Sequence, residues 1–257
     1  MLLAIDIGNS NITLGIWDGS AWRKQWRLYT VQSKTADEYG IALMVLLREA
    51  GLIKAIDHLI MSSVVPSLTP TFSQVSREYL GLTALQVSAE MDTGIDIQIE
   101  HPETVGTDRI VNAAAAFHLH PGPSITIDMG TATKFDVVTA AGALIGGVIA
   151  PGLQLTADAL FSRAAKLSQV ALEAPPRTIG RNTVEAMQSG LVFGYVCMIE
   201  GITKRLLAEH PDQGQHVHIL GTGGLIQLIS QQSDLIDHVD PWLTLTGLRI
   251  IHQRVTG

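Results

Sequence analysis

The chain opens with an apolar run that ends in a carboxylate. Asp6 follows this run, and a polar turn occupies residues 8–11. A short apolar run bounded by a turn is typical of a strand buried on both faces, so we predict a strand over residues 2–7. Alternating apolar and polar residues predict a second strand over residues 12–16, and residues 21–28 read as a third.

The same pattern returns in the second half of the chain. A strand predicted over residues 125–129 contains Asp128, and a Gly-Thr turn follows it. Two more strands are predicted over residues 134–138 and 143–149. Each half therefore begins with strand, acidic turn, strand, turn and strand.

Helical patterns follow the strands in both halves. Thr35 with Glu38 fits a capping box, and Asn182 with Glu185 suggests a second cap. The other predicted elements are helices over residues 35–50, 68–80, 106–118, 153–165 and 183–209, and strands over residues 59–65, 84–87 and 216–220, the last ending in a Gly-Thr-Gly-Gly turn.

The repeated pattern predicts an α/β fold of two related lobes, residues 1–118 and 119–257. Ligands in such folds bind where strands end and turns expose backbone N–H groups. We therefore expect the binding site in a cleft between the two lobes.

Composition narrows the class of protein. Of 257 residues, 46% are hydrophobic and 16% charged, which predicts a substantial core. The net charge of −7 argues against nucleic acid as the main partner. No apolar stretch is long enough for a membrane span, so no membrane partner is expected. Cys197 is the only cysteine, which favours the reducing cytoplasm, and we expect it to pack as a small hydrophobe.

The two acidic turns suggest a phosphate site. An aspartate at a strand end is often only a turn former, and that reading stays open for Asp6. Two turns of the form Asp-x-Gly-[Asn/Thr] favour a further role, because glycine admits a bulky anion and small polar residues add donors. A carboxylate beside phosphates needs a cation between them. Mg²⁺ is the usual one, and the arrangement suits a nucleoside triphosphate such as ATP.

Other signatures are missing from the sequence. There is no Walker P-loop, no Gly-x-Gly-x-x-Gly after the first strand and no Gly-x-Ser-x-Gly elbow. The nine histidines make no convincing metal cluster. We interpret the pairs His118/His120 and His216/His218 as strand or surface residues.

A Gly-Thr-Asp-Arg segment at residues 106–109 opens a predicted helix. An acidic residue in a first helical turn is favoured by the helix dipole alone, which is one explanation of Asp108. The other is catalytic, with Asp108 accepting a hydroxyl proton and Arg109 gripping a carboxylate. Gly223 and Gly224 either admit an adenine ring against the backbone or form a helix-entry turn.

Together these segments resemble type III pantothenate kinase, a family of the acetate/sugar kinase–Hsp70–actin superfamily. The resemblance covers nearly the whole chain. It implies two ribonuclease H-like lobes of the actin-like fold, with the active site between them. It rests on six ordered motifs, at residues 6–15, 106–109, 128–133, 146–152, 180–190 and 221–224.

The resemblance also implies an activity and site residues. The family transfers the γ-phosphoryl group of ATP to pantothenate, the first step towards coenzyme A, and is dimeric. Asp108 would accept the proton, Asp6 would lie on the Mg²⁺ side, and Asp128 would bind a monovalent cation, K⁺ or NH4⁺. The implied ATP-binding residues are Asp6, Ile7, Gly8, Asn9, Ser10, Asn11, Ile12, Thr13, Thr131, Gly223 and Gly224. The implied pantothenate-binding residues are Gly106, Thr107, Asp108, Arg109 and Thr183, with position 99 close to them.

Two residues depart from the family pattern. Ile99 stands where members often carry Tyr, and Lys134 where Thr is usual. We expect the Lys134 ammonium either to lie near the second phosphate turn and partly replace the monovalent cation, or to point to solvent. These departures leave two other functions open, a nucleotide-binding regulator without turnover and a kinase of another small hydroxyl substrate.

Overall fold

The computed structural model describes residues 1–163 and 169–257. It divides into two units, one of residues 1–118 with 243–257 and one of residues 119–242. The sequence placed residues 243–257 in the second lobe, and that assignment was wrong. An amphipathic helix at the chain end carries no local signal of the sheet on which it packs.

The first unit is built on a five-stranded sheet in the order β3-β2-β1-β4-β5. β1 pairs antiparallel with β2 and parallel with β4, so two parallel neighbours end at one edge of the sheet. The strands are β1 (Leu2–Ile7), β2 (Asn11–Trp17), β3 (Trp22–Tyr29), β4 (His58–Ser63) and β5 (Leu85–Gln86).

Helices bury both faces of this sheet. α1 (Ala36–Glu49) and α2 (Thr69–Leu80) share a core with the odd-numbered apolar residues of β1. α8 (Leu243–Thr256) packs against β1, β2 and β4. A Cβ at Gly15 in β2 would lie 2.7 Å from Leu245 Cδ1, so the glycine lets α8 approach.

The first unit also contains four further elements. Residues 53–55 and 102–104 form 3₁₀ turns. β6 (Asp96–Ile97) precedes the second of them, and α3 (Thr107–Leu119) follows it.

The second unit repeats the strand order of the first. Its strands run β9-β8-β7-β10-β11, where β7 takes the place of β1. β7 is antiparallel to β8 and parallel to β10. The repeat predicted from the two acidic turns is therefore confirmed as a repeat of topology. The strands are β7 (Ser124–Met129), β8 (Ala132–Val138), β9 (Ala143–Pro151), β10 (His218–Gly223) and β11 (His238–Val239).

The helices of the second unit cover a core that includes Ile125, Ile127 and Phe135. Residues 183–209 form a continuous helical stretch as predicted, but a π-helical segment interrupts it at Ser189–Phe193. The helices are α4 (Leu153–Arg163), α5 (Thr183–Gln188), α6 (Gly194–Glu209) and α7 (Ile226–Ser230). The predicted end of α4, at residues 164–165, lies outside the described residues.

The two helix caps predicted from the sequence are confirmed. Thr35 with Glu38 forms the predicted capping box, and Asn182 Oδ1 accepts the Glu185 N–H at 2.9 Å. Cys197 is exposed, so the prediction that it packs inside was wrong. β10 runs to Gly223, not to residue 220. None of the described helices has the length and apolarity needed to cross a membrane.

Candidate active site

Asp6 lies at the carboxyl-terminal end of β1, between its partners Thr13 in β2 and Ser62 in β4. The buried Ser62 hydroxyl donates a hydrogen bond to Asp6 Oδ1 at 2.5 Å. The carboxylate is therefore oriented by a fixed neighbour and only partly exposed. Ser62 is a site residue that the sequence did not predict.

The turn after β1 is closed by its own backbone. The Gly8 N–H donates to the Asn11 carbonyl at 3.0 Å, and Asn9 and Ser10 between them are exposed. Ile7 and Ile12 are buried and anchor the two ends of the turn in the core. The predicted phosphate loop thus stands as an exposed polar turn at the ends of parallel strands, where anions bind in such sheets.

The beginning of α3 is attached to the same edge of this sheet. Thr107 Oγ1 accepts the Ser63 N–H at 3.1 Å and donates to the Ser63 carbonyl at 3.2 Å. Ser63 pairs with Ile7 in β1, directly after Asp6. The two segments that the sequence singled out, residues 6–13 and 106–109, therefore meet at one sheet edge within the first unit.

Asp108 stands in the first turn of α3 and is partly exposed. Its Oδ1 accepts the Arg109 N–H at 2.8 Å. A Cβ at Gly106 would lie 2.7 Å from that oxygen, so the glycine leaves room for the carboxylate in this position. A carboxylate at this position interacts favourably with the positive end of the helix dipole. Arg109 beside it is also partly exposed.

Asp128 occupies the position in β7 that Asp6 occupies in β1. It pairs with Lys134 in β8 and with Thr222 in β10. Lys134 Nζ lies 2.7 Å from Asp128 Oδ2, and the two side chains are only 15% and 14% exposed. The interpretation of Lys134 as a solvent-pointing residue is therefore wrong, and its ammonium lies at the second acidic turn.

The turn after β7 is held by one backbone hydrogen bond of its own and by one from Gly152, the residue after β9. The Gly130 N–H donates to the Ala132 carbonyl at 3.2 Å, and the Gly152 N–H donates to the Thr131 carbonyl at 3.1 Å. A Cβ at Gly152 would lie 2.4 Å from that carbonyl oxygen. This close approach explains why the last residue of the motif at residues 146–152 is a glycine. Thr131 itself is exposed.

Gly223 ends β10 with a φ of +95°, which favours glycine. A Cβ there would lie 2.5 Å from the Met129 carbonyl oxygen, so the position is closed to side chains. Gly224 follows in the turn before α7. A bare backbone surface is thus available next to the second acidic turn, and the helix-entry reading of this segment also holds.

Two other predicted site residues, Thr183 and Ile99, belong to segments outside these turns. Thr183 is the exposed first residue of α5, behind its Asn182 cap. Ile99 is partly exposed in a bend between β6 and the 3₁₀ turn at Pro102–Thr104. Its side chain brings no hydroxyl to this bend.

The sequence did not predict that three histidines would lie close together in the second unit. His120, His218 and His238 place ligand atoms within 4.8 Å of one another. The three residues are far apart in sequence, and only the sheet register brings them together.

Comparison with known proteins found relatives in sequence and neighbours in fold. A family model described as type III pantothenate kinase matches residues 2–205. A type III pantothenate kinase from Moorella thermoacetica is 46% identical over 257 residues, 100% of this chain and 100% of that protein. Among solved structures, a conserved Baf family protein from Campylobacter jejuni is similar with a TM-score of 0.60 at 19% identity, covering 98% of each chain. Component A of (R)-2-hydroxyglutaryl-CoA dehydratase from Acidaminococcus fermentans has a TM-score of 0.56 at 14% identity, covering 99% and 96%.

The repeated sheets and their acidic turns define a protein of two ribonuclease H-like lobes with the actin-like fold. The chain belongs to the type III pantothenate kinase family, since the family model matches most of it and the identity extends over its full length. The fold and family expected from the six motifs are thereby confirmed.

Proposed function

We propose that this protein transfers the γ-phosphoryl group of ATP to pantothenate, giving 4'-phosphopantothenate, the first step towards coenzyme A. The family membership supports this substrate pair. The observation that carries the mechanism is the pair of hydrogen bonds between Thr107 and Ser63. They hold Asp108 at the sheet edge where Asp6 and the first polar turn would receive the phosphates.

Asp108 would orient the pantothenate hydroxyl and accept its proton late in the transfer. A carboxylate is too weak a base to strip an alcohol beforehand, but phosphoryl transfer through a loose transition state does not need that. The Arg109 N–H bond to Oδ1 fixes the carboxylate in place. The Arg109 guanidinium would pair with the pantothenate carboxylate, for which its planar fork is suited.

Residues 6–13 would bind the phosphates of ATP. Asp6 suits Mg²⁺, because an oriented, partly exposed carboxylate is the oxygen ligand that this ion prefers. Bound Mg²⁺ would neutralise phosphate charge. Asn9 and Ser10 would add polar contacts from the exposed part of the turn.

The second unit would contribute the remaining nucleotide contacts. Thr131 is placed in the exposed turn after β7, and Gly223 and Gly224 offer bare backbone for the adenosine part. Thr183, at the start of α5, would bind pantothenate. Ile99 would weaken pantothenate binding relative to enzymes that place a hydroxyl there.

The residues at Asp128 do not fit the monovalent cation in the usual way. The Lys134 ammonium already compensates one carboxylate oxygen at 2.7 Å. A K⁺ or NH4⁺ ion placed on the same oxygen would meet like charge. We therefore propose that Lys134 partly replaces the monovalent cation in this protein.

We further propose that the protein is a cytoplasmic homodimer. Gly190, Gly194, Cys197 and Gly201 form an exposed stripe of small residues at helical spacing. A Cβ built on any of these three glycines meets no atom within 4 Å among the described residues. The close backbone neighbour expected from the glycines is thus not supplied there, and a second copy would supply it.

The test of the activity is direct. Purified protein is incubated with ATP, Mg²⁺ and pantothenate, and the products are analysed by mass spectrometry. We expect ADP and 4'-phosphopantothenate in equal amounts, and no ADP beyond background when pantothenate is omitted. Nucleotide binding without product would favour the regulator, and turnover only with another hydroxyl compound would favour a different kinase.

A further inference from the structure

Four histidines and one aspartate lie together in the second unit, outside the residues that the proposed kinase uses. His218 begins β10, His238 begins β11, and His120 directly follows α3. His216 and Asp237 flank them, His216 two residues before His218 and Asp237 directly before His238.

The sheet register fixes their spacing. His218 pairs with Ser124 in β7 and its N–H donates to the Pro123 carbonyl at 2.9 Å, which sets it beside the segment that carries His120. His238 pairs with Leu220 in β10. The cluster thus joins three separate stretches of chain at the amino-terminal edge of the parallel strands.

The rings are close enough to share one ion. The centroids of His120 and His238 are 3.8 Å apart in a stacked pair, and His218 lies 5.7 and 5.6 Å from them. The ligand atoms of the three residues lie within 4.8 Å of one another. Zinc–imidazole bonds are about 2.0–2.1 Å long, so modest rotations of the rings would bring three nitrogens onto one ion.

One nitrogen of the cluster has no hydrogen-bond partner of its own in the described part of the chain. His218 Nδ1 is buried and has no hydrogen-bond partner among the residues that the structure describes. A buried nitrogen without a partner is unfavourable, and a metal ion would satisfy it.

We propose that His120, His218 and His238 bind one divalent transition-metal ion of the zinc class. Imidazole nitrogens suit such borderline ions, whereas Mg²⁺ prefers oxygen ligands. The alternative group of His216, His218 and Asp237 is also within 4.8 Å. Asp237 Oδ2, however, already accepts the Ile219 N–H at 2.8 Å, and the His216 side chain is 67% exposed. We therefore assign the ligands to the first group.

The site would stabilise the second unit without taking part in phosphoryl transfer. β7 leads from the cluster edge at Ser124 to Asp128, and a strand rises about 3.3 Å per residue, so roughly 13 Å separates them. An ion bound only by the folded state raises its stability by mass action. The proposal does not depend on the identity of the phosphoryl acceptor.

The experiment uses the full chain, without an affinity tag and stripped of metal. Co²⁺ is titrated as a spectroscopic probe, and Zn²⁺ is followed by calorimetry and by Tm. We expect one equivalent of each ion to bind, visible Co²⁺ bands typical of imidazole ligands, and a higher Tm with Zn²⁺. Pantothenate phosphorylation with Mg²⁺ should be the same with and without bound Zn²⁺.

Variants decide which residues are the ligands. We expect His120→Ala and His238→Ala each to weaken Zn²⁺ binding at least 10-fold and to abolish the Tm increase. His101→Ala, at an exposed histidine of the first unit, is the matched control and should bind as the wild type does. Absence of stoichiometric binding, or unchanged affinity in both cluster variants, would overturn the proposal. So would loss of binding in His216→Ala alone.

Discussion

Lys134 Nζ lies 2.7 Å from Asp128 Oδ2, across a pair of neighbouring strands and largely shielded from water. At the equivalent place in the first unit, Asp6 faces the neutral Thr13. The two acidic turns therefore share their position in the sheet and differ in charge. In the second turn, the Lys134 ammonium is the cation next to the carboxylate.

This ion pair predicts weak dependence on monovalent cations. We expect the wild-type rate to change less than about twofold when Na⁺ replaces K⁺, because Lys134 already compensates Asp128. Lys134→Thr should lower the rate without K⁺ and gain strong stimulation by K⁺. The measurement is the initial rate at fixed ionic strength. A wild type that still requires K⁺ in full would contradict the proposal that Lys134 partly replaces the cation.

The hydrogen bond from Ser62 to Asp6 predicts an effect of a residue that need not touch either substrate. Ser62→Ala leaves the carboxylate without its buried donor, and a hydrogen bond to a charged group is worth roughly 1.5–3 kcal/mol. We expect kcat/KM for ATP to fall roughly 10-fold. The control is Ser67→Ala, at an exposed serine before α2, which should retain wild-type kinetics. Equal kinetics of the two variants would contradict this role of Ser62.

Gly223 predicts a stability effect tied to the backbone. In Gly223→Ala the new Cβ would meet the Met129 carbonyl at 2.5 Å and the residue would keep a positive φ. We expect a loss of roughly 1–3 kcal/mol in the free energy of unfolding and weaker ATP binding. Gly214→Ala, where a Cβ meets no atom within 4 Å of the described chain, is the control for calorimetry. A Tm of Gly223→Ala equal to that of the wild type would contradict this prediction.

The stripe of small residues on the helical stretch at 183–209 predicts a dimer. Sedimentation should give twice the mass of one chain for the wild type and for Gly214→Glu. Gly194→Glu places a charge in the stripe, where space within the chain is open, so it should give a folded monomer. A wild-type monomer at micromolar concentration would exclude the proposal, as would a stable Gly194→Glu dimer.

The sequence predicted those parts of the fold that local pattern determines. Apolar runs and turn residues gave the strands around both acidic turns, and the caps at Thr35 and Asn182 gave two helix starts. α7, α8 and the two-residue strands β6 and β11 were missed, because short or peripheral elements carry little pattern. The packing of α8 on the first sheet depends on long-range contacts that no local window contains.

The residues of the candidate site also divide into those with a local motif and those that depend on strand pairing. Asp6, Asp108 and Asp128 could be found because each stands at a turn or helix start with a recognisable motif. Ser62 and Ser63 could not, since their role follows from the parallel pairing of β4 with β1. The only local signal was a pair of serines after an apolar run. The histidine cluster likewise depends on the register of β7, β10 and β11.

The central claim is that Asp108, held at the sheet edge by Thr107, accepts the pantothenate proton. Its most direct test is the rate of pantothenate phosphorylation by Asp108→Asn. The control is Asp37→Asn, the same change in the first turn of α1, which weakens a helix-dipole interaction without touching the site. We predict that Asp108→Asn keeps the wild-type Tm within about 2 °C and loses at least about 100-fold in kcat, while Asp37→Asn loses little. Wild-type kcat in Asp108→Asn would contradict the account.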